Sequence, residues 1–408
     1  MPIDFKQHTL PNGLTIIAEC NGAAHTAAAG FFVKAGTRDE DRSVMGVSHF
    51  LEHMMFKGTD RRTADDVNRE FDEIGANYNA FTSHEQTVYY AQVLPEHLPR
   101  AIDLLGDILR PSLREDDFEM EKNVILEEIG MYDDRPQWRL QDALLEAYFQ
   151  HHPLSYRVLG TQESIRALTA GQMRDYFAHR YSPDNIVVAG AGRIDFARFV
   201  ADIERTAGSW EPTGATREYE APETGRESLT MRDSRVGRHY VAAMSPGPGA
   251  QDDRRYAAKV LADVLGDTDG SRIYWALVDP GIADEADLAF VPYDQAGAYM
   301  AYASCDPDRA EEVEQKLLET IDRFGSDIRA DELERAKNKL ATQVTLREES
   351  PGGRMRDLGL HWLYLEQYDA LHEELEKIMA VSADDIQQLL EEFDFRERCI
   401  VRLTPEAD

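Results

Sequence analysis

The segment His49-Phe50-Leu51-Glu52-His53 says more about this chain than any other. It lies within Val44 to Phe56, where apolar residues recur at helical spacing. On a helix, side chains at i, i+3 and i+4 share one face, so two imidazoles and a carboxylate converge. Two histidines one turn apart can chelate Zn2+, with a carboxylate beside the position left open. An accidental H-x-x-E-H match in a chain of this length is expected roughly a few per cent of the time, so the motif by itself suggests a metal without proving one.

A zinc ion that does chemistry needs a third protein ligand, and a carboxylate from another helix is a natural source. The helical pattern from Glu115 to Tyr132 carries Glu121, Glu127 and Glu128. Positions 121 and 128 are almost two turns apart and share a face, whereas Glu127 points about 100° away from Glu128. One face therefore offers two carboxylates. A solvated acidic helix would have the same composition.

Outward from this core, Leu14 to Ala18 follows an Asn12-Gly13 turn and reads as a strand, as does Ala27 to Lys34. Helical spacing spans Ala64 to Ile74 and Pro95 to Leu109, with a β-rich stretch, Asn77 to Val93, between them. Ile186 to Gly190 reads as a buried strand closing the first half. From Ser209 to Glu227 neither period survives and Pro, Gly, Thr and Glu dominate, which predicts a linker. A strand (Tyr240 to Met244) and a helix (Asp253 to Leu265) follow, then a helix near Tyr274 and strands around Ala298 to Ser304. Helices at Pro307 to Phe324 and Ala330 to Leu346 come next. A last one, Ala383 to Glu392, starts after a Ser382 N-cap and completes the chain. Both halves run strand, helix, strand, helix, as a duplication would. The expected domains are 1–210, a linker at 211–227, and 228–408.

The stretch His49 to Thr59, with His49-Phe50-Leu51-Glu52-His53 followed by Met54-Met55-Phe56-Lys57-Gly58-Thr59, closely resembles the inverted zinc motif of the pitrilysin/insulinase metallopeptidases, which include the mitochondrial processing peptidase. Further resemblance lies in Asn79 to Ser83, Val124 to Ile129, Leu159-Gly160-Thr161 and Tyr181 to Asn185. It is dense from about residue 5 to 200 and weaker beyond. The resemblance implies an α+β fold of two similar domains, each a mixed sheet with helices packed mainly on one face. It implies one Zn2+ per chain held by His49, His53 and Glu128, since Glu128 lies 75 residues after His53 as the family's third ligand does. Glu52 would be the general base, Glu121 would orient the ligands, and the catalysed reaction would be endopeptidase cleavage of peptides or unfolded segments. Asn79, Ala80, Phe81 and Thr82 match the family's edge strand, onto which a peptide substrate adds by β-augmentation.

One departure stands out. The family's second half usually carries an Arg and a Tyr seven residues apart that grip the substrate, and here those positions hold Leu277 and Asp284. Relatives close as a clamshell of two half-length chains or within one chain of double length. This chain is therefore expected to pair with a homologous subunit: a heterodimer with a chain that supplies the grip, or else a homodimer. The alternative reading is a non-catalytic structural or peptide-holding subunit of the same fold.

Composition bounds the partners. Hydrophobic residues make up 42% and charged residues 29%, enough apolar content to bury cores and to exclude a disordered chain. A formal charge of −32 argues against nucleic acid and against anionic membrane surfaces. No apolar run approaches the ~18 residues of a membrane span, and Met1 to Lys6 does not begin a signal peptide. Three scattered cysteines, Cys20, Cys305 and Cys399, make no disulfide framework. A cytoplasmic protein is expected, and an acidic, Lys-poor surface suits a salty or crowded interior.

Overall fold

Ala27 to Val33 is buried at every position, the mark of a strand covered on both faces. In the computed structural model, which describes residues 3–325 and 327–406, this strand lies in the middle of a six-stranded sheet. The first half of the chain runs β1 (Asp4–Thr9), β2 (Thr15–Cys20), β3 (Ala27–Val33), α1 (Val47–Met55), α2 (Ala64–Glu73), β4 (Asn77–Thr82), β5 (Thr87–Val93), α3 (Leu98–Ile108), α4 (Glu115–Asp133), α5 (Pro136–Phe149), α6 (Gln162–Ala167), α7 (Ala170–Arg180), β6 (Ile186–Gly192) and α8 (Phe196–Ala207). The rest runs β7 (Ser228–Arg232), β8 (His239–Pro246), α9 (Arg255–Gly266), β9 (Glu285–Tyr293), β10 (Ala296–Cys305), α10 (Ala310–Asp322), α11 (Ala330–Glu348), α12 (Pro351–Leu365), α13 (Leu371–Ala380), α14 (Ala383–Glu392) and β11 (Cys399–Thr404).

The first sheet has the order β1-β2-β6-β3-β5-β4 and the second β7-β11-β8-β10-β9. With the extra edge strand β1 set aside, the two orders are the same when strands are counted along each half: first, fifth, second, fourth, third. In both, the first and last strands pair in parallel (β2 with β6, β7 with β11) and every other neighbour is antiparallel. Each is thus a mixed sheet, and the duplicated pattern is a property of the topology.

The chain divides into two compact units assembled from discontinuous stretches: 1–130, 156–218 and 346–368 in one, 131–155, 219–345 and 369–408 in the other. Each unit therefore takes one helix from the far side of the stretch 211–227, which itself carries no helix or strand. In the first unit most helices cover one face, where Phe31, Phe50, Leu105, Ile125 and Phe199 share a core. The opposite face is covered by α12, whose Met355, Leu358 and Trp362 pack on Ile17, Ala28, Phe32 and Val88. A Cβ at Gly359 would come within 2.5 Å of Phe32 ring atoms, so only glycine lets α12 lie this close. In the second unit α5 plays the matching part, with Leu140 and Leu144 against Val401 and Leu403.

Three sequence-based expectations need correction. Ala383–Glu392 is not the last element, because β11 follows it and buries Cys399, Val401 and Leu403 at alternate positions. The helix near Tyr274 is a single π-helical turn, Tyr274–Val278. The regular part of the helix placed at Pro95 begins at Leu98, after a 3-10 turn. Ser382 does cap α14, its Oγ accepting from the Asp385 amide at 3.2 Å.

An ion pair ties α12 to the first sheet. Arg354 donates to both carboxylate oxygens of Glu19 on β2, at 2.7 and 2.6 Å, with both side chains under one-tenth exposed. Breaking such a pair from one side strands a buried charge at a cost of about 3–5 kcal/mol. Arg354 also pairs with the buried Glu348 side chain, so Arg354→Met strands two carboxylates and adding Glu19→Gln relieves one of them. Arg354→Met should therefore lower the melting temperature clearly more than the Glu19→Gln, Arg354→Met double variant, measured by thermal unfolding at neutral pH. Equal losses would mean that the contact contributes packing and little electrostatics.

Candidate metal centre

Helix α1 begins at Gly46, whose φ of +92° and close approach to the Leu159 carbonyl exclude a side chain. The helix start is held by Glu40, whose carboxylate accepts from the Gly46 amide at 2.7 Å and the Ser48 amide at 2.8 Å. Those amides would otherwise be orphaned, and the positive end of the helix dipole favours an anion there. Burial nevertheless pushes the Glu40 carboxyl up to about 7, against the pull of both hydrogen bonds. Further along, Phe50 stacks on Phe118 of α4 with ring centroids 4.7 Å apart. That contact turns the stripe Phe118, Ile125 and Ile129 of α4 into the core, and Glu121 and Glu128 flank the stripe on the side of α1.

His49, His53 and Glu128 come together. Glu128 Oε2 lies 3.8 Å from His49 Nε2 and 3.6 Å from His53 Nε2. Both separations are too long for hydrogen bonds. One donor atom from each residue falls within 4.8 Å of the others, and no other such group of three occurs among the described residues. Glu128 Oε2 is buried with no hydrogen-bond partner among the described residues, as is His49 Nδ1. A tetrahedral zinc at its usual bond lengths spaces its donors by about 3.3 Å. An unpartnered carboxylate oxygen facing two imidazole nitrogens just beyond that spacing is the donor set such an ion requires, so the residues fit it.

Glu121 has a different place. Its Oε1 accepts from His53 Nδ1 at 2.9 Å, while Lys57 Nζ donates to Oε2 at 2.5 Å. An ionised carboxylate can only accept, so Nδ1 carries a proton and Nε2 is the ring atom turned to Glu128. Burial would raise the Glu121 carboxyl, but its bonds to His53 and Lys57 outweigh that and lower it. His49 is pushed down to about 3 by burial and by its neighbour His53, so it is neutral and able to ligate at physiological pH. Burial would lower His53 as well, but the Glu121 bond and the charges of Glu128 and Glu52 raise it. Three carboxylates with Lys57 beside them leave a local demand for positive charge.

Glu52 shares α1 with both histidines and makes no part of that donor group. Its Oε2 accepts from Thr82 Oγ1 at 2.6 Å. Burial raises its carboxyl and the Thr82 bond opposes the rise.

Thr82 ends β4, which is the free edge of the first sheet. Along it Ala80 belongs to the core that contains α1, while Phe81 packs on the opposite face. Of the four strand residues singled out, Ala80 and Thr82 therefore face α1, and Asn79 and Phe81 face away. In the second unit Leu277 is fully buried in the core and Asp284 receives Arg238 at 2.5 Å. Arg272 is bound by Asp327 and Glu332.

Sequence reasoning missed Glu40 and Lys57. Lys57 lies inside the quoted motif, and its distance from Glu121 along the chain gave no sign of a pair. Glu40 had no signal, because its capping contacts depend on the path of the chain between Glu40 and Gly46.

Residues 15–162 match the family described as Insulinase (Peptidase family M16), and 167–340 match the Peptidase M16 inactive domain. A Bacillus subtilis protein described as the uncharacterized zinc protease YmxG is 32% identical over 407 residues, with 99% of each chain covered. A zinc protease of Mycobacterium leprae, likewise described as uncharacterized, is 35% identical over 93% of this chain and 87% of its own. A crystal structure of a protease from Helicobacter pylori superposes with a TM-score of 0.92 over 99% of this chain and all of that one, at 19% identity, a likeness of fold alone. No helix among the described residues is long and apolar enough to cross a membrane. By full-length similarity to these zinc proteases, the chain belongs to the insulinase family, peptidase family M16.

Proposed function

We propose that this protein is a zinc-dependent endopeptidase that cleaves peptides or unfolded segments, with one Zn2+ per chain on His49, His53 and Glu128. The observation that carries this reading is the buried, unpartnered Glu128 oxygen facing two imidazole nitrogens on the helix that also bears Glu52. A zinc ion bound there supplies a Lewis acid that polarises the peptide carbonyl. Glu52 takes a proton from the attacking water as its oxygen bonds to the carbonyl carbon. It then passes that proton to the amide nitrogen as the C–N bond breaks. Glu121 keeps the His53 Nδ1 proton in place, and Lys57 holds Glu121 anionic. The free edge of β4, with Asn79, Ala80, Phe81 and Thr82, receives the extended substrate through backbone hydrogen bonds.

The second half of the chain contributes no metal ligand to this reading, and Leu277 and Asp284 are engaged within their own unit. This supports a processing-peptidase-like assembly in which a homologous subunit completes a chamber and supplies an Arg and Tyr grip, with a homodimer as the alternative. A cytoplasmic setting accords with three unpaired cysteines, two of them buried.

Two measurements test the roles. Glu52→Gln should retain zinc while hydrolysis of a quenched peptide library falls by about 10²–10⁴-fold; loss of metal from that variant would move Glu52 into the ligand set. A wild-type chain that holds zinc and cleaves nothing, with or without a homologous partner, would favour a peptide-holding subunit. Glu128→Gln should lower zinc content sharply and Glu127→Gln hardly at all, because Glu127 is exposed on another face of α4. Equal retention by both variants, read by metal analysis after dialysis, would remove Glu128 from the site.

A further inference from the structure

The turn of the β4–β5 hairpin is held by a buried network of ion pairs and hydrogen bonds. Glu85 in its turn takes Arg38 at 2.6 Å, both side chains 2% exposed, and the Tyr364 hydroxyl at 2.9 Å. Arg217 donates to the Glu85 carbonyl at 2.6 Å and to both oxygens of the Asp39 carboxylate, a fully buried side chain, at 2.9 and 2.7 Å, and Arg180 reaches Asp39 at 2.8 Å. The Arg38 amide donates to the His84 carbonyl at 2.8 Å, and the Ser83 amide to the Gln86 carbonyl at 2.9 Å. Thr82 is the residue that enters this clamped turn. Its cross-strand partner Thr87 is itself fixed, donating to the Ala35 carbonyl at 2.9 Å.

A hydroxyl in such a frame has a set position, and it spends its hydrogen on one oxygen of Glu52. We propose that Thr82 is a positioning residue that orients the Glu52 carboxylate, occupying Oε2 so that Oε1 is left to exchange the proton, and so links the alignment of the base to the strand that docks the peptide. This rests on the peptidase reading for its consequence, but the orientation itself does not. Thr82 points to the α1 face and acts through Glu52, without touching the reacting atoms. A carboxylate with both oxygens free would rotate, and small misplacements of a catalytic group are costly.

The test compares Thr82→Val, which keeps the branched shape without the hydroxyl, with Thr82→Ser, which keeps the hydroxyl. With the zinc-loaded full chain, and its partner if one is needed, Thr82→Val should lower kcat by about 10–100-fold with KM unchanged, and Thr82→Ser should recover most of the loss. Zinc content and melting temperature should match wild type in both. A raised KM with kcat intact would make Thr82 a substrate contact, and loss of zinc from Thr82→Val would make it architectural; either overturns the proposal. Crystal structures of wild type and Thr82→Val give a readout free of turnover. The Glu52 carboxylate should hold one orientation in wild type and rotate away in the valine variant. An unchanged Glu52 in the valine variant would sink the idea even if the enzyme is active, whereas a Glu52 that rotates in that variant, beside a wild type that cleaves nothing, would leave it standing and reject only the peptidase reading.

Discussion

The stacking of Phe50 on Phe118 is the contact on which the rest of the candidate metal centre depends. A helix can bring two histidines to one face unaided, but it cannot supply a donor from another direction. The aromatic pair fixes both the separation of α1 from α4 and the rotation of α4 about its axis. With Phe118, Ile125 and Ile129 turned inward, Glu128 reaches the Nε2 atoms of both histidines and Glu121 reaches Nδ1 of His53. Interior packing is dense enough that rotating α4 would cost buried apolar area at every turn. Hydrophobic packing thus aims the polar groups.

The charge balance is set against that frame. Glu52, Glu121 and Glu128 gather around two imidazoles, and the one lysine among them is already committed to Glu121. Buried charge of one sign is expensive unless it is matched. The depressed His49 and the raised His53 express two sides of the same imbalance: the first is too deeply buried to hold a proton, and the second is surrounded by carboxylates that favour one. A divalent cation on the open donor atoms would relieve both. At the other end of α1, Glu40 completes the helix where the chain turns at Gly46, so the histidine pair is anchored from behind as well.

The sheets show how such a site is kept rigid. Both faces of the first sheet are covered, the far one by α12, and the edge strand ends in a turn held by Arg38, Asp39, Glu85, Arg217 and Tyr364. Buried ion networks of this kind contribute little net stability, since desolvation offsets attraction, but they leave few alternative arrangements. The edge of β4 therefore stays open for pairing while its end is pinned.

The local pattern along the chain determined what depends on near neighbours. Helical spacing placed His49, Glu52 and His53 on one face, and the seven-residue interval did the same for Glu121 and Glu128, because a helix fixes directions over two turns from sequence alone. The Ser382 cap and the central strands of the first sheet were legible for the same reason. What only the tertiary structure decided spans long separations. Helix geometry already separated Glu128 from Glu127, but the approach of Glu128 to both histidines follows from the inward stripe on α4. The reach of Lys57 to Glu121, of Thr82 to Glu52 and of Arg217 to Asp39 required the chain to return from 30 to 178 residues away. The helices α5 and α12 show no clean division into polar and apolar faces along their sequence, and each is made stable by the sheet face that it covers. Identical strand order in the two units likewise exists only in the pairing of strands, where hydrogen bonds between distant segments choose each neighbour.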